Sequence, residues 1–453
     1  MVASGAYRVT LGGLLAVGLG VAGFAPASSA PPAKATTAAT VPVRKHTDVA
    51  IPLATSVPAE LVPMKAGTTT KVSPANLQAV LKAGPLSPVT AVCFGPDGKR
   101  LFVASYGRVA VWDLEQGRVS GYLEGIAGAV HDLELSPDGK QLAVGGGDPA
   151  QTGTVQLYDT AAPARPVAKL AGHSDVVYSL AWSADGKRLA TASFDKLVKV
   201  WDLPAGTPTL TIKDHTDAVL AVAFSPDGKT LVSGGRDHSI KLFDAATGKA
   251  LRTLTGHDQD VQALVISADG KSVISSGREP GLRWWDLATG KQMRNQGGHG
   301  GSVFEVRRSS DDKQLISVSQ DQTVRLWDGA TGGQQKSYSS GGEPLFCAAL
   351  SSDGKRVAAG SWKGLLRLWD AATGRLLVLG YALPDPTAKP EWLLATPEGY
   401  LSRSEGAPGT LQWTVGGEAV APEPFSETLL KPEEVLKALR GEPLSPVKLQ
   451  GPK

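Results

Sequence analysis

Four histidines stand 42 residues apart, His173, His215, His257 and His299, and 22 residues after each comes an acid: Asp195, Asp237, Glu279 and Asp321. Histidine beside a carboxylate is a pairing used in general acid–base catalysis and around metal ions. Both kinds of chemistry need their groups to converge on one point. A fixed interval of this length does the reverse, because it gives each pair its own repeat unit. No metal or cofactor is expected from this set. Glu305 and Arg307 are the other candidates, conspicuous among Val, Ala, Leu and Ser on the first strands of the units. They come from one unit, which does not make a constellation of nucleophile, base and oxyanion donors. No CxxCH occurs for covalent haem. Cys93 and Cys347 fall on the first strands of the first and last units, where ring closure would make a disulfide conceivable, with two small buried residues as the alternative.

The repeat that carries these residues settles the architecture. An aromatic–Asp pair closes each unit, Trp201-Asp202, Phe243-Asp244, Trp285-Asp286, Trp327-Asp328 and Trp369-Asp370, at intervals of 42. Each histidine lies 28 residues before its aromatic, and turns of the Ser-Pro-Asp-Gly-Lys type place an Asp at 185, 227, 269, 311 and 353. Two less regular units precede these, ending at Trp112-Asp113 and Tyr158-Asp159. Within a unit, Val176–Trp182 alternates as a strand, Asp185-Gly186 suits a tight turn, and Arg188–Ser193, Leu197–Trp201 and Pro208–Ile212 supply three more strands. Four antiparallel strands per 42 residues make one propeller blade. A blade buries its faces only against its neighbours, so seven arranged around an axis form the fold. The expectation is an all-β, seven-bladed propeller over 85–381.

Gly172-His173, Gly256-His257, Gly298-His299 and the aromatic–Asp pairs resemble the signatures of the WD40 family, over about two thirds of the chain. The resemblance implies a buried tetrad of His, Ser or Thr, Asp and Trp within a blade. Carried over residue by residue, it gives His173, Ser193, Asp195 and Trp201 in the third unit, and His299, Ser319, Asp321 and Trp327 in the sixth. The fourth unit departs from it with Gly235 and Phe243, the fifth with Glu279, and the seventh with Lys363 and no Gly-His. Units one and two lack the histidine. Two blades are therefore expected to hold a full tetrad.

The resemblance also implies a binding surface. The residue before the tetrad Asp sits on the loop face, and here that position holds Phe194, Arg236, Arg278, Gln320 and Trp362, with Tyr106 the nearest equivalent in the first unit. A second ring, seven residues before each turn Asp, holds Thr90, His131, Tyr178, Leu220, Gln262, Phe304 and Phe346, which could equally cover the edge of the core. Aromatic residues and Arg dominate binding hot spots. The function expected is a non-catalytic protein–protein interaction scaffold. The alternative is a propeller enzyme acting on a small substrate in the central channel.

Arg8, the apolar run Val9–Ala25 and Ala25-Pro26-Ala27 have the order of a secretory signal peptide over 1–27, which implies a periplasmic or secreted protein. An uncleaved anchor is the alternative, although a Gly-rich run this short falls below the ~20 residues of a membrane span. After signal removal no membrane span is expected. Residues 28–84 read as an Ala/Pro/Thr-rich linker, with a helical turn or two over 73–81. A net charge of +3 over 453 residues, with the two signs mixed, provides no concentrated basic surface for nucleic acid. Residues 382–453 read as a strand-plus-helix module, with a helix at 431–441, and resemble a module that follows WD40 or caspase-like domains in bacterial proteins. Thr396-Pro397-Glu398-Gly399 mimics the repeat turn, so a degenerate eighth blade is the alternative.

Overall fold

The structure is a computed structural model that describes residues 49–51, 60–64, 68–72, 77–81, 87–203, 206–309, 311–382, 391–405, 411–415, 418–420 and 428–447. The signal-peptide expectation falls outside these residues. Seven antiparallel sheets, each begun by four strands in chain order, form the propeller. The third blade shows the pattern: Val177–Trp182 innermost, then Arg188–Ser193, Val198–Asp202 and Pro208–Ile212 at the rim.

The register is constant from blade to blade. The aromatic of the third strand faces an aliphatic of the second, as in Leu189↔Trp201, Leu231↔Phe243, Val273↔Trp285 and Val357↔Trp369. These aromatics are among the largest fully buried side chains and fill the space between blades. The repeat turn is held by its own side chains. Ser183 Oγ donates to Asp185 Oδ1 at 2.6 Å, Lys187 N donates to the same oxygen at 3.1 Å, and Gly186 takes φ +68°. The Asp of the aromatic–Asp pair caps a second turn, where Asp286 accepts from the amide and hydroxyl of Thr289, both at 2.7 Å. At the rim, Arg252 latches the next blade by donating to the carbonyls of Ala288 and Thr289 at 2.9 and 3.0 Å.

The first and seventh blades meet directly, so seven complete the ring. Val89 N donates to Ser361 O at 3.1 Å, and a Cβ on Gly360 would lie 2.3 Å from Val89 Cγ1. Among the described residues each of the seven blades is built from one contiguous stretch of chain, so no blade mixes strands from the two ends. The C-terminal residues pack over it. Trp392–Ala395 and Leu401–Arg403 add to the outer edge of the seventh blade and make it six-stranded. The eighth-blade alternative therefore does not hold for this hairpin: its turn copies the repeat, but the closed ring leaves only a sheet edge to join. The helix Pro432–Leu439 has Pro at its start, Glu433 and Glu434 in its first turn and Gly441 beyond its end. It buries Val435, Ala438 and Leu439 in one cluster with Trp112 and Val119 of the first blade and Leu377 and Leu394 of the seventh. At Gly117 a Cβ would approach Leu436 Cδ2 to 2.9 Å, so the helix sits hard against the first blade.

Two linker expectations are corrected. Val49–Ile51, Glu60–Met64, Thr68–Val72 and Leu77–Leu81 are strands, and the helical turn expected at 73–81 is absent from the described part of it. Leu77–Leu81 pairs with Val49–Ile51 on one edge and Leu411–Val415 on the other. Partners on both edges satisfy its backbone and override local helix propensity. Residues assigned by sequence to a linker and to a C-terminal module thus share one sheet. Both cysteines are free thiols.

Candidate functional site

The histidines form closed chains within their blades, but through a different hydroxyl from the one expected. His173 Nδ1 donates to Asp195 Oδ2 at 2.8 Å, while Nε2 lies 2.7 Å from Thr191 Oγ1, which accepts from Trp201 Nε1 at 3.0 Å. Ser193 instead donates to Asp175 O at 2.9 Å. In the sixth blade Ser317 replaces Ser319 in the same way, 2.7 Å from both His299 Nε2 and Trp327 Nε1, and Ser319 donates to Gly301 O at 3.3 Å. The reason is strand geometry. Residues two apart share a face, so both hydroxyls point the right way, and only the inner one lies beneath the indole.

The fifth blade holds the complete chain and the fourth a three-membered version, so three blades carry the full tetrad rather than two. Ser233 joins His215 and Asp237, with Phe243 taking the indole's place. Ser275 joins His257 and Trp285, and Glu279 accepts from His257 in place of an Asp. Burial pushes the His257 and His299 rings toward the neutral form. Burial also opposes the charge on Asp321, but hydrogen bonds from Thr323, Gly300 N and His299 outweigh it and hold the carboxyl at about 2. With both ring nitrogens engaged, these histidines keep no lone pair for a substrate or a metal.

The inner channel does bring carboxylates together, which the sequence had not suggested. Arg307 Nη2 of the sixth blade donates to Asp132 Oδ1 of the second at 2.6 Å, and its Nε donates to Glu305. The remaining carboxylate oxygens bind the next blade: Asp132 Oδ2 accepts from Leu180 N and Glu305 Oε2 from Ala348 N, both at 2.8 Å. Ser179 Oγ takes the same place against Val222 N at 3.3 Å. Asp132 and Glu305 are thus blade-to-blade clamps joined by an arginine strut. Burial pushes the nearby Cys93 thiol up to about 12, so it is not a thiolate nucleophile.

The loop face assembles the rest. The loops between second and third strands turn through left-handed residues, Lys196 (φ 71°), His238 (φ 60°) and Gln322 (φ 72°), which leaves the first loop residue pointing outward. A backbone bond pins each of those residues: Phe194 N to Val176 O, Arg236 N to Ala218 O, Arg278 N to Asp260 O and Gln320 N to Ser302 O, at 2.9–3.2 Å. Trp362, Tyr106, Arg236 and Gln320 are exposed; Phe194 and Arg278 are half-buried. The second ring lies beside them for a reason hidden in sequence. The register of the first two strands slips at Tyr178, Leu220, Gln262, Phe304 and Phe346, so each sits in a β-bulge that re-aims its side chain. His131 occupies the matching slip in the second blade.

Two aromatic stacks result. His131, Tyr178 and Phe194 stack in series at 5.0 and 5.3 Å; Phe304 stacks on Phe346 at 4.8 Å, and Trp362 lies tilted by 45° against Phe346 at 5.4 Å. Tyr178 Oη reaches Gln262 Oε1 of the fifth blade at 3.5 Å. On the fourth and fifth blades, between the two aromatic groups, Arg236 and Arg278 both approach Asp260 Oδ2, at 3.8 and 3.2 Å, with His238 Nε2 3.8 Å from Oδ1. His238 and Asp260 were not singled out by sequence. Asp260 has no counterpart at the loop position that was read, and only the fold brings it there. Among the described residues no group of three potential ligands is placed to hold a metal ion, and no helix is long and apolar enough to cross a membrane.

A family model described as "WD domain, G-beta repeat" (WD40) matches residues 76–113, 164–202, 206–244, 248–286, 290–328 and 333–370. The chain is 34% identical over 122 residues to the cell division cycle protein cdt2 of Schizosaccharomyces pombe, a match covering 25% of each. It is 42% identical over 72 residues to an intraflagellar transport protein 122 homolog of Danio rerio, covering 16% of this chain and 6% of that one. To the target of rapamycin complex subunit wat1 of S. pombe it is 36% identical over 98 residues, covering 21% and 30%. Each match spans less than a third of the relative's own length.

Proposed function

The chain belongs to the WD40 repeat family, and we propose that it is a non-catalytic scaffold that binds a protein partner across the loop face of its propeller. The observation that carries this reading is the pair of aromatic stacks that end in Phe194 and Trp362 beside the Arg236–Arg278 pair. Large, rigid side chains pinned from behind offer contact area at little entropic cost. A channel enzyme draws no support from Asp132 and Glu305, because both carboxylates are spent on backbone amides and Arg307.

The reading extends to compartment. Arg8, the apolar run and Ala25-Pro26-Ala27 support export to the periplasm or secreted space, with a mature chain beginning near Ser28 and retention by an uncleaved segment as the alternative. Two experiments test it. Crosslinking and affinity purification from the native host should recover a partner with the wild-type chain and lose it with a folded Trp362→Ala, Arg278→Ala double variant. Equal recovery by both would move the site off this face. N-terminal sequencing that returned Met1 from a soluble cytosolic fraction would end the export reading.

A further inference from the structure

The outermost strand of every blade carries a bulge at the same repeat position. Its register slips opposite the aromatic of the third strand, as between Ala250 and Arg252 or between Gln292 and Arg294, and sets one residue out of the ladder. A bulge re-aims a side chain and spoils an edge for pairing. The residues so placed are Ser120, Val167, Thr209, Leu251, Met293, Gln335 and Leu377. In the seventh blade Leu377 is 2% exposed, because the helix Pro432–Leu439 packs against Leu376–Ala382 and gathers it into one cluster with Val435, Ala438 and Leu439. In the fourth and fifth blades Leu251 and Met293 are 54% and 48% exposed. Val167 is exposed too, but its neighbours in the ring, Ser120 and Thr209, are polar. Leu251 and Met293 stand on consecutive blades, and among the described residues they are the one adjacent pair of bare apolar bulge residues.

We propose that Leu251 and Met293 form a second docking surface, on the rim and apart from the loop face, whose occupant is an amphipathic helix of a partner protein. The seventh blade supplies the template. There the same repeat position is covered by a helix that buries Val435, Ala438 and Leu439, three residues at helical spacing. Arg375 Nη2 donates to the carbonyls of Gly441 and Glu442 just past the helix end, at 2.7 and 3.0 Å. Lys249 and Lys291 occupy the place of Arg375, two residues before Leu251 and Met293. Both are exposed and can donate to the carbonyls left open at a helix C-terminus. An added strand fits this edge poorly. In the seventh blade a hairpin does join, but on Leu379–Ala382, beyond the bulge, where the strand runs on. The strands Ala250–Leu254 and Gln292–Gln296 stop short of that point, and the chain turns at Gly256 (φ 144°) and Gly298 (φ 147°). An edge with a bulge and no extension offers side chains, not a backbone ladder. Arg252 and Arg294, beside the bulges, are bound to carbonyls of the next blade, so the surface is held in place before a partner arrives.

The test places a photoreactive benzophenone side chain at Leu251 or at Met293 of the full chain, irradiates the native host and maps the crosslinked residues by mass spectrometry. The expected result is one partner crosslinked from both positions, at residues about three, four or seven apart, the spacing of one helix face. Thr209 and Gln335, the same repeat position with polar side chains, give the background. The purified partner is then titrated against Leu251→Ser and Met293→Ser, each checked for folding by circular dichroism. Each variant should weaken binding about tenfold, the worth of one aliphatic side chain left uncovered. A Lys249→Ala, Lys291→Ala double variant should weaken it by less. The rim crosslinks should persist in the Trp362→Ala, Arg278→Ala variant, which separates this surface from the loop face. Crosslinks at alternate residues would mean a strand, and crosslinks to a second copy of this chain would mean self-association; either overturns the proposal. So would crosslinking no stronger than at Thr209 and Gln335, or a partner indifferent to both serine variants. Loss of the rim crosslinks in the loop-face variant would overturn it in favour of one continuous surface, whereas failure at the rim alone leaves the loop-face reading standing.

Discussion

Arg307 and Asp132 are 175 residues apart in sequence and meet at 2.6 Å across the propeller's channel, tying the sixth blade to the second. The strut neutralises two carboxylates whose other oxygens clamp neighbouring blades. Removing the cation strands both charges in the channel. Breaking a fully buried pair costs about 3–5 kcal/mol, and partial contact with the channel lowers that to about 2–3 kcal/mol for Arg307→Ala. Urea denaturation measures it. A loss below about 0.5 kcal/mol, the scale of ordinary surface changes, would show that the strut is incidental.

Stability should fall as pH rises from about 6.5 toward 8. Burial, reinforced by the Asp132 charge and only partly offset by Arg307, pushes Glu134 from 4.5 up to about 8. Between those values the folded chain keeps a proton that the unfolded chain releases, so unfolding is favoured as pH rises, by up to about 1.4 kcal/mol per pH unit for one proton. Asp321 has the opposite sign. Its carboxyl, held at about 2 against 3.8, contributes stability that is lost as pH falls from about 4 to 2. Burial also lowers His131 from 6.5 to about 4 and depresses His257 and His299, so below about 6.5 the unfolded chain binds more protons and stability rises with pH. Thermal melts across pH 3–9 should therefore peak at about pH 6.5. Glu134→Gln should flatten the limb above the peak and leave the limb below about pH 4 unchanged.

The tetrad correction gives a paired test. Thr191→Val leaves His173 Nε2 and Trp201 Nε1 buried without their partner, a loss of about 1–3 kcal/mol. Ser193→Ala removes a loop bond to Asp175 O and should cost about 0.5–1.5 kcal/mol. Chemical denaturation of both variants decides the matter. A larger loss for Ser193→Ala would restore it to the chain.

Those two residues show how far the sequence could be read. The 42-residue period fixed blade count and strand order, because a repeat that must bury its faces on its neighbours has few solutions. It also contained the correct hydroxyls: Thr191, Ser233, Ser275 and Ser317 recur at the same interval as the histidines. Period alone could not choose between two hydroxyls on one strand face. The bulges at Tyr178, Phe304 and Phe346 were illegible for a related reason, since a one-residue slip is a property of the pair of strands. Arg307–Asp132 and the strand pairing of 77–81 with 411–415 depend on ring closure and leave no local signal.

The first blade lacks both tetrad partners and can be repaired. Trp112 is 1% exposed, and its Nε1 has no hydrogen-bond partner among the described residues. Val103, which faces Ala110 as Thr191 faces Lys199, occupies the hydroxyl's place. Val103→Thr is nearly isosteric and supplies the missing acceptor. Its own hydroxyl proton can go to Ala110 O, as Thr191 reaches Lys199 O at 3.4 Å. The variant should be more stable by about 0.5–1.5 kcal/mol, with a higher melting temperature. A lower melting temperature would mean that the added hydroxyl is itself left unpaired.

The helix Pro432–Leu439 should act as the clasp of the ring. Leu439 is fully buried in the cluster that joins first and seventh blades, and a Cβ on Gly117 would come within 3.3 Å of its Cδ1. Arg375 Nη2 adds bonds to the carbonyls of Gly441 and Glu442 at 2.7 and 3.0 Å. No blade mixes strands from the two chain ends, so the cost of opening the seam falls on these contacts together with the Val89–Ser361 bond and the pairing of 77–81 with 411–415. Leu439→Ala should lower stability by about 2–4 kcal/mol through the cavity it leaves. Hydrogen exchange should speed up selectively in Arg118–Tyr122 and Leu376–Ala382, the strands beneath the helix, with Val219–Phe224 across the ring unchanged. Uniform acceleration in all blades would show that the ring opens as a whole and that the helix is no special fastening.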